Sequence, residues 1–371
     1  HDIQDNNLSN MTAQLFTPCI LRDLSLQNRV VVSPMCQYSA QDGTPNDWHL
    51  AHLGQLAVSG AGLVIAEATN VEARGRIAYG CTGIYSDANE AAWKRIVDHC
   101  HRYGSAKIGL QIGHAGRKAA VKEPWRGNTP LPPEENPWQI VAPSPLPYSD
   151  KSQVPHALSI DELAALKAKY IEAVQRSQRA GFDLLELHAA HGYLLHQFLS
   201  PLSNKRTDQY GGNLENRMRF PLEVFAAMRA AWPQHKPLGV RVSATDWAPD
   251  GWDLDQTVAF SSRLKESGCD FMDVTSGGLV PNQDMKTGPG YNVGFAHGVK
   301  LATKMPTMAV GMITEPEQAE KILQLGQADL IALARGMLYN PRWAWHAAAA
   351  LGADAAYPPQ YTRAKPVVAA R

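Results

Sequence analysis

SIDELAALKAKYIEAVQRSQRAGFDLLELHAAHGY, residues 159–193, holds one complete unit of the pattern from which this chain is built. Ser159 and Glu162 have the spacing of a capping box, in which a hydroxyl and a carboxylate satisfy donors that a helix start leaves unpaired. Leu163, Leu166, Tyr170 and Val174 then recur at helical spacing, and Gly181 marks the stop. DLLELH follows at once, a short apolar run suited to a strand buried on both faces. From its last residue onward His188, His191, Tyr193 and His196 crowd into nine positions.

Seven further runs share the character of DLLELH: RVVVS (29–33), GLVIAEA (62–68), KIGLQIG (107–113), LGVRVS (238–243), FMDVTS (271–276), TMAVG (307–311) and DLIALA (329–334). Helical patterns lie between them; TEPEQAEKILQLG repeats the unit with Thr314 and Glu317 as the expected box and Gly326 as the stop. Eight strands alternating with helices predict parallel α/β architecture. No GxGxxG follows the first strand, as a dinucleotide-binding open sheet would require, so the expected fold is a single (β/α)8 TIM barrel over residues 11–371. A Pro-rich tract from Glu123 to Pro155 follows the third strand and is too long for an ordinary connection; it is expected to be a lid on the substrate pocket or a variable loop.

Composition narrows the function. The 371 residues carry 35 Lys plus Arg and 35 Asp plus Glu, with no run of five or more like charges, which argues against nucleic acid or an anionic membrane as principal partner. No apolar run is long enough for a membrane span, and the polar opening HDIQDNNLSN is read as a disordered lead or cloning remnant, so a cytoplasmic protein is expected. Cysteines at 19, 36, 81, 100 and 269 form no CxxC pair, against a disulfide framework or a four-thiolate cluster.

In a barrel the chemistry gathers at the C-terminal ends of the strands. Gln111 and Arg241 each interrupt an apolar strand. Val240 and Val242 face the helices, so Arg241 turns inward, where it must meet a counter-charge or a ligand. The acceptor-rich edge of a flavin and a structural ion pair both satisfy that demand. Gly311 and Ala334-Arg335-Gly336 end the last two strands, where barrels often hold a phosphate; an ion pair is the alternative for Arg335. Cys36 taken alone reads as a small buried hydrophobe.

Three readings fit the histidines: a satisfied structural cluster, a metal site, or paired N–H donors to one oxyanion with Tyr193 as proton donor. The metal reading would make the protein a metal-dependent barrel hydrolase, but the segment supplies no carboxylate or thiolate to complete a ligand set. His196 is expected to serve packing.

The segment HAAHGYLLHQFLSPLSNKRTDQYGGNLENRMRF (188–220), with SPMCQY (33–38), LQIGHAGRKA (110–119) and QYTRA (360–364), resembles the Old Yellow Enzyme family of flavin-dependent ene-reductases, and its thermophilic-like class in particular. The resemblance runs from about Leu15 to Arg363. It implies tightly bound FMN and NADPH or NADH as hydride donor. It further implies small-molecule acceptors such as enones, nitro compounds or quinones, and a homodimer or homotetramer. By position, Ser33, Pro34, Met35, Cys36, Ala68, Gln111 and Arg241 would meet the flavin ring, and Gly311, Ala334 and Arg335 its phosphate. His188 and His191 would grip the substrate oxygen, Tyr193 would protonate the α-carbon, Tyr38 and Cys36 would border the substrate, and Arg363 would reach a neighbouring subunit's site. Ala334 departs from the glycine common at that position in this class.

Overall fold

The computed structural model describes residues 12–367; the expected lead over 1–10 lies outside the described residues. Eight parallel strands close into a barrel in the order β3 (Val30–Val32), β4 (Leu63–Asn70), β5 (Lys107–Gly113), β8 (Leu184–Ala189), β9 (Leu238–Ser243), β10 (Met272–Thr275), β11 (Thr307–Ala309) and β12 (Leu330–Leu333), the last pairing with the first. These are the eight runs read from the sequence. Helices α1 (Asp47–Ala57), α2 (Asp87–Tyr103), α3 (Ile160–Ala180), α4 (Leu194–Leu199), α5 (Leu214–Ala231), α6 (Leu254–Glu266), α7 (Val293–Thr303), α8 (Pro316–Gln324), α9 (Arg335–Tyr339) and α10 (Trp343–Ala350) make up the rest of the unit. None among the described residues is long and apolar enough to cross a membrane.

Local chemistry sets the helix ends. Ser159 Oγ accepts the Glu162 N–H at 3.1 Å, the Glu162 carboxylate accepts the Ser159 N–H at 3.3 Å, and Gly181 ends α3 in the left-handed region at φ 95°. The start of α8 corrects the sequence reading: Pro316 opens the helix, so the cap falls on Glu315 and Gln318 rather than Thr314 and Glu317.

Side-chain alternation divides the strands into two cores. Val30, Val64, Leu110, Leu185, Val240 and Ile331 face out and pack with the helices. Val31, Leu63, Ile65, Leu184, Phe271 and Met308 face in and fill the lower barrel. Gly239 makes room there, because a Cβ on it would overlap the Phe271 ring. An antiparallel hairpin, β1 (Cys19–Leu21) and β2 (Leu24–Leu26), packs Cys19, Leu21 and Leu26 into this inner cluster and closes that end. The upper half of the interior is polar.

The Pro-rich tract folds against the mouth with two 3-10 turns, Pro124–Arg126 and Pro133–Glu135, and a parallel pair, β6 (Val141–Ala142) and β7 (His156–Ala157). Arg126 bridges Glu123 and Glu135 within it. Trp138 Nε1 donates to Arg74 O at 2.9 Å and ties the tract to the loop after β4.

Candidate active site

Two rows of polar side chains form the floor of the mouth. Gln111 on β5 is in register with Glu186 on β8 and donates to its Oε1 at 2.8 Å. One step higher, His188, Arg241 and Asp273 are in register across β8, β9 and β10. Arg241 Nε lies 3.3 Å from Asp273 Oδ2, so the ion pair weighed from the sequence is present. It leaves the row unsatisfied: Arg241 Nε, both Asp273 oxygens and Glu186 Oε2 find no hydrogen-bond partner among the described residues. Burial, and then the Asp273 carboxylate beside it, push the Glu186 carboxyl well above the usual range.

The end of β8 and the turn after it carry the catalytic candidates. His188 and His191 set their rings edge to face with centroids 5.4 Å apart, and Tyr193 sets its ring 5.1 Å from His188. His188 Nδ1 accepts the Ala190 N–H at 3.3 Å, which leaves the proton on Nε2 as a donor. His191 Nε2 lies 3.2 Å from Thr275 Oγ1. Burial first, and the Arg241 charge second, hold both imidazoles well below their ordinary pKa, so they are neutral donors. Burial raises the Tyr193 phenol, which therefore stays protonated.

The turn is held in a conformation few residues adopt. His191 sits at φ 58° and Gly192 at φ 75°. Ser243 Oγ accepts the His191 N–H at 2.9 Å, and Lys118 Nζ donates to His191 O and Gly278 O, each at 2.8 Å. His196 belongs to this scaffold, which corrects the packing role expected for it. Its Nδ1 accepts the Gly192 N–H at 2.8 Å and its Nε2 meets Asp246 Oδ1 at 2.7 Å, both side chains being fully buried.

Two cavities open on the mouth. One, about 460 Å³, is lined by Arg241, Gly311, Ala334 and Arg335, four of the residues expected to meet a cofactor. Thr275 and Asn292 also line it, and Asn292 Nδ2 is a buried donor without a partner among the described residues. The other, about 470 Å³, lies between Tyr38, Tyr193 and the Pro-rich tract.

The remaining expected residues surround these spaces unevenly. Ser33 is buried with its Oγ unpartnered, while Pro34 and Met35 are half-buried. Cys36, Tyr38 and Tyr193 pack against one apolar cluster that includes Ile77 and Cys81. A register shift between Ala66 and Thr69 interrupts β4 around Ala68. Glu67, in the same bulge, ends its strand at the mouth as the position of EAT (67–69) in the sequence leads one to expect. It lies 3.5 Å from His49 of α1 and accepts the Gln37 N–H at 3.2 Å, and burial pushes its carboxyl up to about 8. Arg363 is exposed in a 3-10 turn, Pro359–Ala364, and lines neither cavity. Among the described residues no group of three His, Cys, Asp or Glu side chains is placed to hold a metal ion, as the hydrolase alternative needs.

A family model described as NADH:flavin oxidoreductase / NADH oxidase matches residues 14–353. An NADPH dehydrogenase of Listeria innocua is 43% identical over 354 residues, covering 95% of this chain and 99% of its own. An NADPH dehydrogenase of a Geobacillus species is 41% identical over 355 residues at the same coverage. Among solved structures, morphinone reductase superposes with a TM-score of 0.77 at 30% identity, covering 95% of this chain and 93% of that one. With its closed barrel and its polar, ligand-ready mouth, the chain belongs to the NADH:flavin oxidoreductase / NADH oxidase family, the Old Yellow Enzyme group, and is an NAD(P)H-dependent oxidoreductase that uses FMN.

Proposed function

We propose that this enzyme reduces electron-poor alkenes, with His188 and His191 gripping the acceptor's oxygen and Tyr193 supplying the proton. The observation that carries the reading is the convergence of two neutral imidazoles and one protonated phenol on the same side of the mouth, above Arg241. FMN held in this mouth would supply the hydride chemistry, from NAD(P)H to the β-carbon of an activated alkene.

The buried, unpartnered donors suit a planar, acceptor-rich ring with a charged tail. Arg241 and Gln111 would meet the polar edge of the isoalloxazine, with Ser33, Pro34, Met35, Cys36 and Ala68 along its other borders. Gly311, Ala334 and Arg335 would hold the phosphate in the cavity of about 460 Å³. Arg241 would favour negative charge on the edge of the ring it met, since a buried guanidinium whose Nε is beside one carboxylate keeps further N–H groups for a second anion.

His188 presents Nε2–H and His191 its own ring N–H to one carbonyl oxygen, lowering the energy of the charge that develops there. Tyr193 holds its proton at rest and releases it to the α-carbon. Tyr38 and Cys36 border the acceptor. Arg363 would act in the mouth of a neighbouring subunit, in a dimer or a dimer-based tetramer. Enones, nitro compounds and quinones share the required features, an electron-poor π-system and an oxygen to grip.

The test is spectroscopic. The purified protein should show an oxidised flavin spectrum that bleaches anaerobically with NADPH and recovers on adding cyclohexenone. Bleaching without recovery would reject the ene-reductase reading and leave only a flavin reductase.

A further inference from the structure

Arg117 and Lys118, adjacent in the GHAGRKA segment, are cations without an acid. Arg117 is 5% exposed, and its guanidinium donates to Leu146 O and Pro147 O at 3.2 Å each and to Leu279 O at 2.8 Å. Its Nε has no hydrogen-bond partner among the described residues. Lys118 Nζ spends two of its three protons on His191 O and Gly278 O. All five acceptors are main-chain carbonyls, and neither cation is paired with a carboxylate among the described residues.

Carbonyl dipoles reduce the cost of burying a charge but do not cancel it. The remainder of the positive field falls on the cavity of about 470 Å³ that both residues line. Lys151, exposed on the Pro-rich tract, adds a third cation to the lining, and no acid among the described residues lines it. Asp150 is exposed and lines the adjoining cavity. Low-dielectric walls of one sign concentrate an anion. Lys118 could serve only as a strut for the His191 turn, but that role asks nothing of Lys151.

We propose that this cavity is an anion subsite, taking a carboxylate or phosphate carried by one of the reactants. The anion is the tail of an acceptor whose alkene lies at Tyr193, or the 2′-phosphate that distinguishes NADPH from NADH. The inference rests on the preceding reading in placing the reacting end at Tyr193.

The test uses oxidised holoenzyme titrated at low salt with 4-hydroxyphenylacetate and with its neutral amide, read from the flavin absorbance. The carboxylate should bind roughly tenfold tighter, and Lys118→Met and Lys151→Gln should each cut that ratio severalfold. If the donor supplies the anion, the phenol ratio stays near one, and the same variants instead narrow the gap between KM for NADPH and for NADH. Ratios near one for both pairs, or ratios that survive both substitutions, overturn the proposal. Should Lys118→Met fail to retain flavin, Lys151→Gln decides alone, because its side chain is exposed. A protein that fails to reduce enones yet still prefers the carboxylate refutes the ene-reductase reading and leaves the subsite standing.

Discussion

Gly192 and Gly278 press main chain against main chain, so that the turn carrying His191 rests directly on the loop after β10. A Cβ on Gly278, at φ 98°, would sit 2.5 Å from the His191 carbonyl carbon, and one on Gly192 would collide with Gly278 O. Gly278→Ala should therefore lower Tm and weaken phenol binding together, by about 2 kcal/mol or more in stability. A variant that loses stability but binds phenols normally would show that the turn can shift without moving His191.

Tyr193→Phe should slow alkene reduction by roughly a hundredfold or more, the usual scale for losing a general acid, while flavin reduction by NADPH stays nearly intact. Stopped-flow measurement of each half-reaction separates the two. Equal loss in both rejects Tyr193 as the proton donor.

His188→Ala removes one of the two donors proposed for the substrate oxygen. Phenols, which mimic the developing oxyanion, should bind about tenfold more weakly to the oxidised enzyme. An unchanged dissociation constant counts against the role.

Asp246 is fully buried and accepts from His196, from Ser200 Oγ at 2.6 Å and from the Trp252 N–H at 2.7 Å. Asp246→Ala leaves all three unpaired and should cost about 3–5 kcal/mol of stability in a denaturant titration. A loss below about 1 kcal/mol would mean water replaces the carboxylate.

Burial, with the Arg117 charge added, pushes Lys118 down to about 8. Lys118 is thus a cation below that pH and neutral above it. The preference for 4-hydroxyphenylacetate over its amide should hold at lower pH and decline as pH rises through about 8. A flat profile would exclude Lys118 from anion binding.

The barrel was legible because its strands are buried on both faces and read as unbroken apolar runs, with inward polar residues as the only interruptions. Arg241 between Val240 and Val242 was found that way. Glu186 in DLLELH and Asp273 in FMDVTS interrupt their strands in the same manner and were passed over, although register brings them into the rows that hold Gln111 and Arg241. Their importance lies in cross-strand neighbours, which no single run displays. His196 could not be assigned from local pattern either, since its partner Asp246 is 50 residues away. The β1–β2 hairpin went unread because its strands, buried on one face only, give the short mixed run CILRDLSL rather than an unbroken apolar one. Arg363 is a different case: its expected role concerns a second subunit, and in its own chain it stays on the surface.

The hairpin that seals the lower barrel has a kinetic consequence. With that end filled by Cys19, Leu21 and Leu26, donor and acceptor both approach from the mouth, and on the proposed reading, in which they share the space beside Tyr193, they take turns. Double-reciprocal plots at several fixed acceptor concentrations should run parallel, and excess acceptor should inhibit competitively against NADPH by blocking the queue.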